Sequence, residues 1–316
     1  MRGSVAITVL AACAAASACT WDGGLGDARF ADDIDDAPPW WDAAWSTRHH
    51  VTLTSSGPEV PADLLVAVPA RRADLDVTDW DDVELVYWNG TSWTRRAFAP
   101  IRQADEFGDA LWMALPRALP AGGVEGGLWL YTGNPSPPTR LNPDSQYELV
   151  EYFDGPTLNA ARWTGTGDVT FAGAQVHLGP GASITSVMTW PADHAVDVVV
   201  QNGAWANGMS VGFTGATWTY ASNQLRPTVS AGAWTGTPYP AATGRFELAV
   251  ERSPSTVRFL ANSTAHDAHA VESSAAPVLL ENTAASGPDL VIPSLRIRAS
   301  VEDPPTGTIG PRVARF

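Results

Sequence analysis

Six carboxylates in the second half of the chain, Asp154, Asp168, Asp193, Asp197, Glu247 and Glu251, are the side chains best suited to acid–base chemistry. Glycoside hydrolysis needs two such groups facing one groove, about 5–5.5 Å apart for retaining chemistry. Their spacing announces no such pair. In "RFELAVER", Glu247 and Glu251 alternate with Phe246, Leu248 and Val250, which reads as the wet side of a half-buried strand. There is no Gly-x-Ser-x-Gly elbow and no His-Glu-x-x-His motif, and the two cysteines, Cys13 and Cys19, both precede residue 20. No catalytic residue is assigned. A polysaccharide hydrolase stays as the alternative, on the condition that distant strands bring two of the six acids together.

Metal and cofactor chemistry find no firmer footing. His266 and His269, at strand spacing, point to opposite faces, and so do the adjacent His49 and His50. The acids Asp74, Asp76, Asp79, Asp81 and Asp82 cluster before a strand without a recognisable ligand order, as expected of a polar loop. No Gly-rich loop follows a strand and opens a helix, so no cofactor and no metal are expected. The 19 basic residues are all Arg, against 34 acids. A net charge of -15 repels phosphate, which excludes nucleic acid as a partner.

Binding is better served. Trp205, Trp218, Tyr220, Trp234 and Tyr239 fall within one turn-rich stretch, with Asn207, Asn223 and Gln224 between them. Rings exposed there would stack on sugar faces while the amides bond hydroxyls. The same rings could equally fill a core.

The elements that must carry these residues are short strands. Val51 and Leu53 alternate with Thr52 and Thr54. Residues 63–69 form an apolar run, and "DVELVYWNGTSWTRR" reads as a hairpin turning on Asn89-Gly90. In "GGLWLYTGNP", Trp129 and Tyr131 share one face and Leu128 and Leu130 the other. Further on, Val196, Val198 and Val200 line one face, and Leu295, Ile297, Ala299 and Val301 oppose Arg296 and Arg298. Period-two strands with frequent turns predict an all-β protein of two antiparallel β-sandwich domains, at 40–147 and 148–316.

Residues 1–18 read as an export signal, with Arg2, an apolar run over 5–12 and the small residues Ala16-Ser17-Ala18. Cys19 follows at once, which resembles a bacterial lipoprotein signal, in which that cysteine is acylated. Cys13, after Leu10-Ala11-Ala12, offers the same pattern, but a cut there leaves the apolar run very short. Lipidation at Cys19 implies a membrane held through the N-terminal lipid and a chain exported to the bacterial cell envelope, at the outer membrane or cell surface. Residues 19–39, rich in Gly and Asp, read as a flexible acidic linker.

Two family resemblances add to this reading. The order "WWDAAWSTRHHVTL", "DWDDVELVYWNG", "ALWMALPRALPAGG" and "LWLYTGNP" is similar to the bacterial domain of unknown function 2341, with Thr132 in place of that family's second Tyr. The resemblance brings no catalytic residues. From "YFDGPTLNAARWTG" onward the chain resembles the concanavalin A-like lectin/glucanase sandwich, a jelly roll. Its hydrolases carry a Glu-x-Asp-x-Glu triplet, which is absent here. The resulting expectation is a non-catalytic, lipid-anchored envelope protein that binds glycan or an envelope protein partner through its second sandwich. A purely structural envelope component is the remaining alternative.

Overall fold

In the computed structural model the described residues are 37–101, 110–230, 233–241, 243–262 and 264–315. Cys13, Cys19, the export signal and the linker up to residue 36 lie outside them. Residues 40–316 form one unit. Among the described residues it is all-β and antiparallel throughout, with one four-residue helix, Arg72–Leu75, and two single 3₁₀ turns.

The first half builds a sandwich of five strands over three. The larger sheet runs in the order Thr306–Ala314, Thr47–Thr54, Val124–Thr132, Glu84–Trp88, Trp93–Arg96. The smaller is Leu65–Pro69, Ala110–Ala114, Phe98–Ile101. Alternation assigns the faces as the pattern requires. Val51, Leu53, Leu85, Leu128 and Leu130 meet Val66, Val68, Leu111 and Met113 in one core. Trp129 and Tyr131 point the other way, into a separate aromatic cluster. The last strand, Thr306–Ala314, pairs with Thr47–Thr54, so the sheet begun at residue 47 is completed from the far end of the chain. The expected span 40–147 therefore does not hold every strand of this sandwich.

The expected hairpin forms, with its turn displaced by one residue. Trp88 pairs with Trp93, and Gly90 takes the left-handed backbone at φ +97°. Asn89 stays outside that region and folds its side chain over the turn, Oδ1 accepting from the Thr91 and Ser92 amides at 2.9 and 2.8 Å.

The second half is a larger sandwich. A six-stranded sheet runs Thr264–Ala270, Thr256–Ala261, Gly244–Arg252, His194–Asn202, Ser294–Ala299, Leu149–Glu151. Facing it are Trp234–Thr235, Gln224–Val229, Ala216–Ala221, Met209–Phe213, Ala276–Asn282, Ala182–Trp190 and Trp163–Thr166, with Tyr239–Pro240 as an eighth strand beside Gln224–Val229. Val196, Val198 and Val200 lie between the sheets with Phe246, Leu248, Val250, Leu295 and Ile297, as their spacing predicts.

The outer face of the six-stranded sheet is not wet. The three-stranded sheet of the first sandwich covers it, through Leu65, Trp112 and Ala114, which pack with Tyr147 and Val150. This corrects the expectation for Glu247 and Glu251, which are 6% and 4% exposed. Alternation placed them opposite the core, but a second body closes over that side.

Candidate functional site

The covered face gathers three of the six candidate acids. Arg298, 3% exposed, donates from Nε and an Nη to both oxygens of Asp197 at 2.9 and 3.1 Å, and to Glu251 Oε1 at 2.7 Å. Arg258 takes the second oxygen of Glu251. The Arg298 guanidinium lies 4.0 Å from the centre of the Trp112 ring, at a cleft of about 170 Å³ between the two sandwiches. Burial pushes the Glu251 carboxyl up, but the two arginines outweigh it and hold it below the usual carboxylate range. Burial likewise opposes the charge of Arg298, and Asp197 with Glu251 more than restores it. Two carboxylates do converge here, yet an arginine sits between them. A general acid in glycoside hydrolysis needs a raised pKa, and Glu251 is shifted the other way. The remaining candidates, Asp154, Asp168 and Asp193, are exposed and separate.

Of the five candidate binding aromatics, Trp218 and Tyr220 are buried in the core of the second sandwich, and Trp205, Trp234 and Tyr239 pack against it half-buried. Trp218 is fully buried, donates from Nε1 to Ala249 O at 3.0 Å and meets Phe259 edge-on, so it has no surface to offer a ligand. Tyr220, 9% exposed, stacks on Trp205 at 5.5 Å, and Trp205 leans on Phe246. Trp234 stacks on His269 at 4.5 Å, and Tyr239 meets His266 edge-on at 5.1 Å.

Those two histidines face the same side, contrary to simple alternation. The pairing shifts between Phe259 and Leu260, so the Thr264–Ala270 strand carries an extra residue, and the bulge turns His266 toward Tyr239 and Trp218. Asp267 secures the same segment by accepting from the Thr237 amide at 2.7 Å. Among the described residues no cluster of three or more His, Cys, Asp or Glu is arranged to hold a metal. Asp76 pairs with Arg312, Asp81 lies 3.5 Å from Arg140, and Asp79 caps a 3₁₀ turn.

The partly open polar surface of the second sandwich is the outer face of its larger sheet. Thr217 and Thr219 lie there because Trp218 and Tyr220 point inward. Cross-strand pairing lines up Thr166, Ser183, Glu281, Ser210, Thr219 and Arg226 across six strands. At ~4.8 Å per strand the row is about 24 Å long. A parallel row holds Thr164, Thr185, Leu279, Gly212, Thr217, Thr228 and Thr235. Hydroxyls are linked along these rows, Thr166 to Ser183 at 2.9 Å, Ser210 to Thr219 at 3.1 Å and Thr217 to Thr219 at 3.0 Å. Arg226 donates to Gln224 at 3.2 Å.

Glu281 is the sole acid in the two rows. Burial raises its carboxyl above the usual range, and the hydroxyl of Ser210 partly opposes this. An acid so tuned suits proton donation, but neither row holds a second carboxylate to act as base or nucleophile. The surface is equipped to exchange hydrogen bonds with hydroxyls. Sequence reasoning passed over it because the rings at 218 and 220 drew the assignment; the alternating "ATWTYA" carried the signal on its threonines.

No family model matches the chain, and no curated protein matches it, so the resemblance to the domain of unknown function 2341 rests on its motifs alone. Solved structures do match about half of it. An endo-acting O-glycanase of the human gut microbiota is similar at 13% identity and TM-score 0.41, over 48% of this chain and 99% of that one. The endo-β-1,3-glucanase of Pyrococcus furiosus is similar at 7% identity and TM-score 0.40, over 48% and 94%. A Mycobacterium tuberculosis immunostimulatory antigen and pseudo-β-1,3-glucanase is similar at 11% identity and TM-score 0.40, over 49% and 99%. Likenesses this distant concern the course of the chain and carry no argument about its chemistry.

Proposed function

We propose that the protein recognises a polysaccharide without cleaving it, through the outer face of the larger sheet of the second sandwich. The observation that carries this reading is the six-strand row Thr166, Ser183, Glu281, Ser210, Thr219, Arg226, in which hydroxyls surround a single carboxylate. A polysaccharide laid along the row would exchange hydroxyl hydrogen bonds with it, each contributing ~0.5–1.5 kcal/mol net and those to Glu281 or Arg226 ~1.5–3. Many weak contacts along a chain give useful affinity only together, which suits an extended ligand. Tethering belongs to the same proposal, with Cys19 as the acylated residue and the envelope as the location. Radiolabelled palmitate incorporation by wild type and its loss in Cys19→Ser test that part.

The binding test is affinity electrophoresis of the full chain in gels containing soluble β-glucan, xylan or mannan, with a reducing-sugar assay beside it. At least one polysaccharide is expected to retard wild type. Glu281→Gln and Arg226→Ala each weaken retardation about tenfold, the effect of losing ~1.4 kcal/mol. No sugar ends are released. Turnover that Glu281→Gln abolishes, or retardation indifferent to both substitutions, overturns the reading.

A further inference from the structure

The outer face of the five-stranded sheet in the first sandwich is lined by rings, and the site proposed above does not use it. Trp45, Trp129 and Tyr131 form its buried floor, and Trp40, Trp41 and Trp93 pack on them half-buried. Trp88 and Trp93 pair across the hairpin with centroids 5.1 Å apart, and Trp93 stands edge-on to Tyr131 at 6.1 Å. His50 lies 4.6 Å from Trp129. The Arg48 guanidinium sits between Trp40 and Trp129, 4.8 and 4.4 Å from their centres. Trp45 Nε1, Trp129 Nε1, Glu84 Oε1 and Arg95 Nε, all of this layer, are buried without a hydrogen-bond partner, which folded proteins rarely tolerate.

Exposure and charge select the occupant. Among the described residues the strongly exposed large apolar side chains are Val124, Leu141, Tyr152, Val187, Met188 and Val313, and no tryptophan is among them. A membrane surface is entered by side chains that protrude. Rings set into a sheet, with only part of their surface in solvent, suit a flat ligand that stacks. Three arginines, Arg48, Arg95 and Arg315, stand on this face or on the 40–46 segment over it, against the carboxylates Glu84 and Asp42; one Nη of Arg95 pairs with Glu84 at 2.6 Å and donates to Thr139 O at 2.8 Å. On a chain of net charge -15 the face is locally positive. Trp93 and Arg95 are two apart on one strand and share a side, about 7 Å from each other.

We propose that this face is a second polysaccharide site, selective for chains bearing uronic acids, in which Trp88 and Trp93 stack on sugar rings and Arg95, keeping Glu84 on one Nη, meets a neighbouring carboxylate with the other. Stacking supplies the affinity and the arginine the preference for acidic chains. The two sites fail separately, this one through Trp88 and Trp93, the other through Glu281 and Arg226.

Affinity electrophoresis of the full chain in polygalacturonate gels tests it, with neutral β-glucan gels and flotation with phosphatidylglycerol vesicles alongside. Wild type is expected to be retarded by polygalacturonate, and less so as salt rises. Trp93→Ala and Trp88→Ala weaken retardation about tenfold, Trp93→Tyr restores most of it, and melting temperatures confirm that each variant is folded. Retardation unchanged in both alanine variants, absence of rescue by tyrosine in a folded variant, or no retardation of wild type overturns the proposal. So does β-glucan retardation that depends on these rings as strongly, or vesicle flotation that they abolish.

Discussion

The two larger sheets of the second sandwich each turn one side to the core and one side away, and the sides turned away have opposite fates. On Gly244–Arg252 the outward residues Glu247 and Glu251 are buried, and Glu251 is bound into a network of paired charges. On Ala216–Ala221 the outward residues Thr217 and Thr219 remain partly in solvent and bond to each other. Both strands show the same alternation. The difference lies in what a covered polar face requires. Charged groups taken from water need full pairing, because each unpaired ion costs several kcal/mol. Arg298 therefore uses both oxygens of Asp197 and one of Glu251. An uncovered face has no such demand and keeps its hydrogen-bonding capacity for a ligand.

The covered face depends most on the cation at its centre. Arg298→Met strands Asp197 and leaves Glu251 with Arg258 alone, and a loss of ~3–5 kcal/mol is expected in urea or thermal unfolding. The triple change Arg298→Met, Asp197→Leu, Glu251→Leu should recover most of that loss, since a packed apolar seam replaces charges that nearly cancel. A small loss from Arg298→Met alone would mean that the seam is hydrated and the two faces are alike.

Acid separates the faces next, with opposite signs. The folded pKa of Glu251 lies below its ordinary value, so its contribution is present at neutral pH and is lost as pH falls through that depressed value. Glu251→Gln should lower the melting temperature at pH 7, and the gap to wild type should close on acidification. Glu281 is raised by burial, so its ionised form is disfavoured in the folded state. Stability linked to it is full below the unfolded pKa and lost as pH rises through the folded one. Glu281→Gln should therefore melt slightly above wild type at pH 7, and the gain should vanish once both states are protonated. Parallel shifts in the two variants would contradict the assignment of covered and open faces.

How much of this was legible follows from the same contrast. Period-two spacing assigned the core residues Val196, Val198, Val200, Phe246, Leu248 and Val250, because a strand's geometry repeats every two residues. It also separated Trp129 and Tyr131 from Leu128 and Leu130. It said nothing of what covers the other side, since Leu65 and Trp112, which line one cleft with Glu251, belong to strands far away in the chain. Bulges were hidden for a related reason. His266 changes face because one extra residue interrupts pairing with Thr256–Ala261, a matter of register between strands that neither segment reveals alone. The return of Thr306–Ala314 to the first sheet was unreadable for the same cause. Trp218 shows the converse difficulty, because a ring that stacks on sugar and a ring that fills a core have the same composition signal, and the structure places this one at 0% exposure.

The smallest expected effect tests the open face by its indifference. Thr228 and Thr217 are cross-strand partners on it, and the Thr228 hydroxyl makes a long 3.4 Å bond to Arg226 O. Thr228→Val keeps the β-branched shape that a strand favours and deletes a half-buried hydroxyl whose one bond is long. Stability should change by no more than ~0.5 kcal/mol, as for surface positions generally. A hydroxyl that contributes little to folding yet lies in a row of hydroxyls is what a binding surface requires, because its hydrogen bonds remain to be made with something else. A loss of several kcal/mol from Thr228→Val would mean that its hydroxyl is committed to the fold, and the contrast with the face of Arg298 would collapse.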